Sequence, residues 1–244
     1  MSYREVNRKW LDRQYYDASI TIVTALFNGH NTNIPHSIEV YTPEYVDKLY
    51  RGIGRNYRGT FDFICLTDRN YKFEEPIIQQ RLSMSVDQYG WMCLMDVYRP
   101  DLCSGKRLTV GLDTIITGPL DDILEHNTRV GLCTDPFTPQ WICNAITLAS
   151  PEFCDEIWDL WENKNKEIME HCIYFNVPSE MAVLRKYYND VERLDVTFPG
   201  KILSYKAHIR AKEIPVENTS IIYCHGNPKP HEMMNLKWAQ ENWV

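Results

Sequence analysis

The most informative stretch of this chain is residues 106–123, KRLTVGLDTIITGPLDDI. Within it, residues 108–112 are mostly apolar and β-branched, follow a charged pair and precede a turn, which predicts a buried central strand. Asp113 then stands at the carboxyl end of that strand, the edge where ligands bind in open α/β sheets. An acid at this edge is a candidate group for a metal or phosphate site. A turn or cap before Thr114 is the structural alternative, and the residues alone leave both open.

Two further strands and a helix are predicted upstream of this stretch. Residues 19–27, SITIVTALF, and residues 61–67, FDFICLT, are apolar almost throughout, as strands covered on both faces should be. Residues 42–57 between them have helical periodicity, with Thr42 as the expected N-cap. A strand, helix and strand at this spacing predict a parallel crossover, which places the ends of both strands side by side. The residues then expected to share one crevice are Thr24, Ala25 and Asp68.

The remaining pattern extends the same alternation of strands and helices. Strands are predicted at residues 76–82, 129–134, 144–149 and 221–224, and helices at 90–98, 151–168 and 179–188. This alternation predicts an α/β fold. Residues 1–18 are polar and are predicted to form an extension. The length of the chain predicts that residues 19–244 form one domain.

Composition narrows the class of protein. Hydrophobic residues make up 44% and charged residues 24%, as in ordinary soluble domains. The net charge of -7 argues against holding nucleic acid by bulk electrostatics, which needs clustered cations. One local basic cluster is present around a predicted helix, and a solvated helix face is its simpler interpretation. Its members are Lys48, Arg51, Arg55 and Arg58.

The cysteines and the apolar segments predict a location. Eight cysteines are scattered without a CxxC pair, which is typical of reduced core residues in a cytosolic protein. The N-terminus has no apolar signal region, and no segment is apolar for long enough to cross a bilayer. We therefore expect a soluble, cytoplasmic protein.

Residues 225–230, HGNPKP, form the second informative stretch. A His-Gly step followed by two prolines continues neither a strand nor a helix, so a rigid loop is predicted after the strand at 221–224. His225 is a candidate metal ligand and Lys229 a candidate phosphate-binding cation. The chain has no GxGxxG, GxxxxGK[ST] or GxSxG motif.

Several short motifs, in their order along the chain, resemble those of a known family. They are TD at 67–68, GW at 90–91, LDT at 112–114, FPG at 198–200, SYK at 204–206 and HGNPKP at 225–230. Over residues 19–238 the chain resembles GT-A glycosyltransferases, in particular small bacterial and phage members related to the retaining family that contains glycogenin. The resemblance implies a GT-A, Rossmann-like nucleotide-diphospho-sugar transferase fold, with a mixed, mostly parallel central sheet flanked by helices.

The resemblance also implies roles for individual residues. Asp113 and His225 would hold a divalent metal, Mn²⁺ or Mg²⁺, that bridges the diphosphate of a nucleotide-sugar donor. Lys229 and Gly226 would contact the diphosphate, and Glu180 would stand in for the acceptor-side acid, catalytic together with Asp113. A hard cation and a lysine suit a leaving group that develops negative charge. The donor's base and ribose would lie near Thr24, Ala25 and Asp68.

Two positions depart from the family pattern. Gly111 stands where the family has the first acid of its D-x-D motif, and Leu94 stands where relatives carry a lysine. The expected function is transfer of a sugar from a nucleotide donor to an acceptor hydroxyl, with retention implied by the resemblance. The expected acceptor is a glycan or, for a phage-encoded enzyme in the host cytoplasm, a hydroxymethylated DNA base. The alternative is a catalytically degenerate binding or scaffold protein with this fold.

Overall fold

The computed structural model describes residues 20–27 and 40–244, so the predicted extension at 1–18 lies outside the described residues. The main sheet contains β1 (Ile20–Leu26), β2 (Phe61–Thr67), β3 (Ile78–Arg81), β4 (Arg107–Val110), β6 (Val130–Thr134), β7 (Ile142–Ala149) and β10 (Glu192–Arg193). Their order across the sheet is β10-β6-β7-β4-β1-β2-β3. Only β7 runs antiparallel to its neighbours within this sheet. The mixed, mostly parallel sheet predicted from the sequence is confirmed.

A smaller sheet lies beside the main one. It contains β11 (Ile202–Ser204), β12 (Ile221–Tyr223) and β5 (Thr114–Ile116), in that order. The outer strand β11 runs parallel to β12, and β5 runs antiparallel to it. A short hairpin of β8 (Ile173–Tyr174) and β9 (Val177–Pro178) completes the strands of the described residues.

Helices cover both faces of the main sheet. They are α1 (Pro43–Asn56), α2 (Val86–Tyr89), α3 (Asp121–Leu124), α4 (Pro151–His171), α5 (Glu180–Tyr188), α6 (Leu194–Thr197) and α7 (Lys237–Asn242). Two 3₁₀ segments (Gly90–Tyr98, Pro230–Met233) and a π-helical turn (Tyr205–Arg210) lie between them. One apolar core joins β1 to α1 and the small sheet, and a second joins it to the Gly90–Tyr98 segment, α4 and α5. The α/β layering follows from apolar strands that need cover on both sides.

The first two strands form where the sequence predicted them. All residues of β1 except Ala25 are buried, and β1 pairs in parallel with β2 from Ile20 opposite Phe61 to Leu26 opposite Thr67. In α1, Pro43 occupies the first turn and the buried residues recur at helical spacing. Thr42 has the extended backbone of an N-cap, but its side chain makes no capping hydrogen bond.

The predicted strand before Asp113 is shorter than expected. The strand β4 ends at Val110, and the Gly111 N–H then bonds to Ala145 O before the chain turns. Residues from Thr114 onward form β5 in the small sheet instead. Asp113 therefore lies at the junction of the two sheets. The prediction of a strand to Leu112 was wrong because an apolar run contains no local signal for a change of sheet.

The cysteine prediction agrees with the structure. All eight cysteines are buried and carry free thiols. None of the helices in the described part of the chain has the length and apolar character needed to cross a bilayer.

Candidate functional site

Asp113 lies in a polar cluster built from three distant parts of the chain. The Lys229 ammonium lies 2.9 Å from Asp113 Oδ2 and 2.5 Å from the Tyr41 hydroxyl oxygen. The Tyr41 hydroxyl in turn donates to Asp113 Oδ2 at 3.3 Å. The Lys229 side chain is 12% exposed and that of Asp113 is 25% exposed. The two charges are thus largely removed from water. In such surroundings an ion pair with additional hydrogen bonds holds a fixed geometry.

The backbone around Lys229 is fixed by the 3₁₀ segment Pro230–Met233. The Lys229 N–H donates to the Glu232 carboxylate at 2.6 Å, and the Glu232 N–H donates back to Lys229 O at 2.9 Å. Lys229 has the extended backbone of an N-cap at this point. The loop at residues 225–230 therefore holds the Lys229 backbone in place, and the Lys229 side chain contacts Asp113.

Tyr41 contributes a neutral hydroxyl to the cluster. Burial raises its pKa far above the usual tyrosine value, and the Asp113 carboxylate raises it further. The ring packs edge-on against Tyr45, with 5.3 Å between centroids, and the Lys229 ammonium lies 5.0 Å from the Tyr41 centroid. The Tyr41 side chain therefore stays protonated and can donate to the carboxylate while accepting from the ammonium.

A second lysine approaches the same loop. The hydroxyl of Ser204, the last residue of β11, accepts from the Ala207 N–H and so caps the turn that carries Lys206. A Cβ placed on Gly226 would lie 3.3 Å from Lys206 Nζ. Gly226 also has φ +61°, which favours glycine. Because β11 and β12 are parallel, their carboxyl ends bring Lys206 and Gly226 together.

Cys224 confirms that both lysines share the surroundings of Asp113. Its N–H donates to Asp113 O at 2.9 Å. Burial raises the pKa of the Cys224 thiol to about 12, with Asp113 acting in the same direction and Lys229 and Lys206 opposing it. Asp113, Lys229 and Lys206 therefore form one charged neighbourhood at the junction of the two sheets.

His225 has different neighbours. Its ring packs edge-on against Tyr223 and Phe137, at 4.8 Å and 5.8 Å between centroids, and it influences the nearby Cys143 thiol. The hydrogen bond from Cys133 lowers the pKa of the Cys143 thiol, and His225 acts in the same direction against the effect of burial. Asp113 and His225 form no hydrogen bond or ion pair with each other within residues 20–27 and 40–244.

The donor set does not fit a divalent metal. The described residues contain no group of three His, Cys, Asp or Glu side chains able to hold an ion. Asp113 Oδ2 already accepts from Lys229 and Tyr41. His225 Nδ1 is buried without a hydrogen-bond partner in this part of the chain, yet Mg²⁺ and Mn²⁺ favour oxygen ligands. The metal pair predicted from the sequence stays a prediction.

Gly111 is the close neighbour of the remaining Asp113 oxygen. A Cβ at Gly111 would lie only 3.1 Å from Asp113 Oδ1. The Asp113 carboxylate would have to shift by a few tenths of an ångström to admit a side chain at position 111. An acid at position 111 requires the Asp113 side chain to move.

The residues predicted to hold the base and ribose are placed at adjacent strands. Thr24 is buried in β1 and donates its hydroxyl to Val110 O at 2.8 Å, which ties β1 to β4. Ala25 follows it and is partly exposed. Asp68 lies directly after β2, where its carboxylate pairs with Arg69 and accepts from Tyr71. The hydroxyl of Thr24 is thus engaged within the sheet.

Glu180 is more deeply buried than an acceptor-side acid would be. It is 2% exposed, accepts from the Tyr98 hydroxyl at 2.7 Å and also accepts from the Asn144 amide. Burial raises the pKa of its carboxyl to about 7, although both hydrogen bonds act in the opposite direction. Asn144 precedes Ala145, whose carbonyl receives the Gly111 N–H. Glu180 is therefore connected to the site indirectly, through the β7 residues Asn144 and Ala145.

The basic cluster on α1 and its following loop is occupied by other parts of the chain. Arg51 pairs with Glu74 and Glu75, and Arg58 pairs with Asp121. Lys48 pairs with Glu44 and also lies over the Trp243 ring, while Arg55 and Arg51 donate to the carbonyl oxygens of Asn242 and Val244. Acidic partners therefore offset the charges of Lys48, Arg51 and Arg58, whereas Arg55 contacts a carbonyl.

Sequence reasoning missed Tyr41 and Lys206. Tyr41 stands just before a helix cap, a position where a tyrosine has no distinctive pattern. Lys206 belongs to the SYK motif, which contributed to the resemblance without a role for the lysine. Had the parallel pairing of β11 with β12 been predicted, it would have placed Lys206 next to the HGNPKP loop.

Comparisons with known proteins identify the fold. No protein-family model and no curated protein matches the chain. The glycosyltransferase GlyE of Streptococcus pneumoniae TIGR4 matches with 14% identity and a TM-score of 0.58, over 93% of this chain and 62% of GlyE. The galactosyltransferase LgtC, solved with donor and acceptor sugar analogs, matches with 11% identity and a TM-score of 0.58, over 91% of this chain and 93% of LgtC.

A third structure gives the same result. The bifunctional glycosyltransferase WbbM matches with 11% identity and a TM-score of 0.60, over 94% of this chain and 52% of WbbM. The chain thus spans less than two thirds of GlyE and about half of WbbM. At these identities the likeness establishes the fold, which is that of the GT-A glycosyltransferases.

Proposed function

We propose that this protein is a glycosyltransferase that moves a sugar from a nucleotide-diphosphate donor to an acceptor hydroxyl. The observation that carries the proposal is the Asp113, Lys229 and Tyr41 cluster at the junction of the two sheets. It lies just beyond the carboxyl end of β4, next to β1, at the edge where α/β sheets bind ligands. Structural likeness to GlyE, LgtC and WbbM supports the same reaction class.

The leaving group of this reaction requires no general acid. A nucleoside diphosphate leaves as an anion, so fixed positive charge lowers the barrier without a proton donor. Lys229 supplies that charge, and the bond to Asp113 fixes the direction of its ammonium. Asp113 in this proposal positions Lys229. Gly226 allows the donor's phosphates to approach the loop backbone, because it carries no side chain.

The nucleoside end of the donor is proposed to lie over Ala25 and Asp68. Both are near the carboxyl ends of adjacent parallel strands. Thr24 supports them from below by linking β1 to β4. Glu180 is proposed to act at a distance, by holding Asn144 beside the strand that pairs with Gly111.

We propose a carbohydrate acceptor. The arginines that would favour a DNA acceptor are engaged in ion pairs and C-terminal contacts. LgtC, whose fold this chain shares, was solved with an acceptor sugar analog. Retention at the anomeric carbon is the outcome that the resemblance implies, and the anomeric proton of the product reports it by NMR.

The second candidate function is donor binding without transfer. Gly111 favours it, because the first acid of the family's motif is missing there. The two functions differ in one measurement. A transferase releases nucleoside diphosphate from a bound donor at a rate that rises with a sugar acceptor, whereas a binding protein returns the donor unchanged.

The test is a melting experiment with a panel of nucleotide sugars, with and without Mn²⁺. A ligand at a hundred times its Kd stabilises the folded state by about 2.7 kcal/mol, which raises the melting temperature measurably. We expect at least one nucleotide sugar to do so, and Asp113→Ala to remove the effect. Asp122→Ala is the matched control, since Asp122 is an exposed acid on α3. No stabilisation by any donor under either condition contradicts the proposal.

A further inference from the structure

We infer that the ammonium groups of Lys229 and Lys206 together take the place of a divalent ion, so that this protein holds the donor diphosphate without a metal. The inference rests on the proposed function and concerns the same site. It starts from Asp113, the residue that a metal would need most.

One oxygen of Asp113 is already bound within the cluster, and the other lies close to the backbone. Oδ2 accepts from Lys229 and from Tyr41, at 2.9 Å and 3.3 Å. Oδ1 lies over Gly111, 3.1 Å from where a Cβ would stand. A metal bound to Oδ2 would have to displace a partly buried ammonium, and residues 20–27 and 40–244 contain no group of three His, Cys, Asp or Glu side chains that could hold the ion.

The two lysines provide a cationic surface beside this carboxylate. Lys229 is held by Asp113, Tyr41 and the bracing bonds of Glu232. Lys206 lies in the turn that the Ser204 hydroxyl caps, and it forms no ion pair within residues 20–27 and 40–244, which leaves its charge available to a ligand. Gly226 leaves room for the Lys206 ammonium, because a Cβ at position 226 would lie 3.3 Å from Lys206 Nζ.

The charges balance as they would with a metal. An aspartate with a divalent ion has a net charge of about +1, and an aspartate with two ammonium groups has the same net charge. Tyr41 adds none, because burial and Asp113 keep it protonated by raising its pKa. An ammonium also binds phosphate oxygens directly, with three donors and no requirement for octahedral geometry. The diphosphate can therefore bind to the lysines alone.

The experiment uses the full chain and two probes, inorganic pyrophosphate and UDP-glucose, measured by titration calorimetry. Each titration is done once with EDTA and once with millimolar Mn²⁺. We expect pyrophosphate to bind in EDTA with a Kd that Mn²⁺ changes by less than about threefold after correction for Mn²⁺–pyrophosphate complexes. Lys206→Met and Lys229→Met should each weaken binding by about tenfold or more, as loss of a charge-assisted hydrogen bond implies.

Lys212→Met is the matched control for the charge change. Lys212 is an exposed lysine six residues after Lys206 on the same helical segment, and we expect its loss to leave the Kd unchanged. If Lys229→Met does not fold, the EDTA titration of the unaltered chain and Lys206→Met still decide the question.

The outcomes separate this inference from the proposed function. Binding of pyrophosphate or UDP-glucose only in the presence of Mn²⁺ overturns the inference and leaves the glycosyltransferase proposal standing. Equal loss of affinity in Lys212→Met and Lys206→Met also overturns it. Failure of both probes and of every other nucleotide sugar, with and without metal, overturns the proposed function and this inference with it.

Discussion

The substitution Glu180→Gln tests the effect of burial on a carboxyl group. Glu180 was predicted from the sequence as a site residue, and the structure buries it. In the folded protein burial raises the pKa of Glu180 to about 7, from an ordinary value of 4.5. The folded state therefore binds more protons than the unfolded state between these two values. Stability must fall as the pH rises through this window, because ionising the buried carboxyl opposes its burial.

The magnitude follows from the difference in pKa. One pKa unit corresponds to about 1.4 kcal/mol, so the whole difference is worth about 3 kcal/mol. Between about pH 5 and about pH 9 the loss is about 2.5 kcal/mol, and most of it occurs below about pH 7. An amide at position 180 does not titrate. It can still accept from the Tyr98 hydroxyl and, after Asn144 reorients its amide, donate to that residue.

The assay is urea unfolding of both proteins at intervals of pH. We expect the free energy of unfolding of Glu180→Gln, relative to the unaltered chain, to rise by about 2.5 kcal/mol across this range and then level off. Subtracting one curve from the other removes the titration of all other groups that the substitution leaves unperturbed. Glu217→Gln, at an exposed glutamate, is the control and should show no such rise. Parallel curves for Glu180→Gln and the unaltered chain would refute the argument.

Three further outcomes are expected. Gly226→Ala should lower the free energy of unfolding by about 1 kcal/mol, because φ at this position is +61°. It should also bind pyrophosphate more weakly, because the added Cβ crowds Lys206. Chemical denaturation and calorimetry measure the two effects, and unchanged values would show that the loop adapts. Arg107→Met should destabilise the fold by about 3 kcal/mol or more in urea unfolding, because this buried arginine donates to three backbone carbonyls, those of Val97, Arg99 and Cys103. A loss below about 1 kcal/mol would mean that water replaces these bonds. The chain should not be retained on duplex DNA even at low salt, because its net charge is -7 and Arg51 and Arg58 of its basic helix face are paired with acids. Salt-dependent retention would reopen the hypothesis of a DNA acceptor.

The strands of the main sheet were predictable because their environment is simple. A parallel strand covered on both faces is apolar throughout, and β1 and β2 follow that pattern almost to the residue. The change of sheet between Val110 and Thr114 was not predictable in this way. The partner of β5 is β12, which lies more than a hundred residues later, so no local pattern reports the pairing.

The site was predictable in part for a similar reason. Asp113 and Lys229 stood out because an acid at a strand end and a lysine between prolines are unusual local features, and the structure brings them into contact. Tyr41 and Lys206 carry no such feature. Glu180 was identified as an acid, but its burial depends on Tyr98 and Asn144, whose positions only tertiary packing sets.

The separation of the cluster along the chain has a consequence for synthesis. Asp113 is 116 positions before Lys229, and the only strand that pairs with β5 in the small sheet is β12. A nascent chain on the ribosome must therefore expose β5 and leave the Asp113 carboxylate without its ammonium until almost the whole chain described here has emerged. The contact between Asp113 and Lys229 therefore forms late in the synthesis of the described chain, as a contact of high sequence separation.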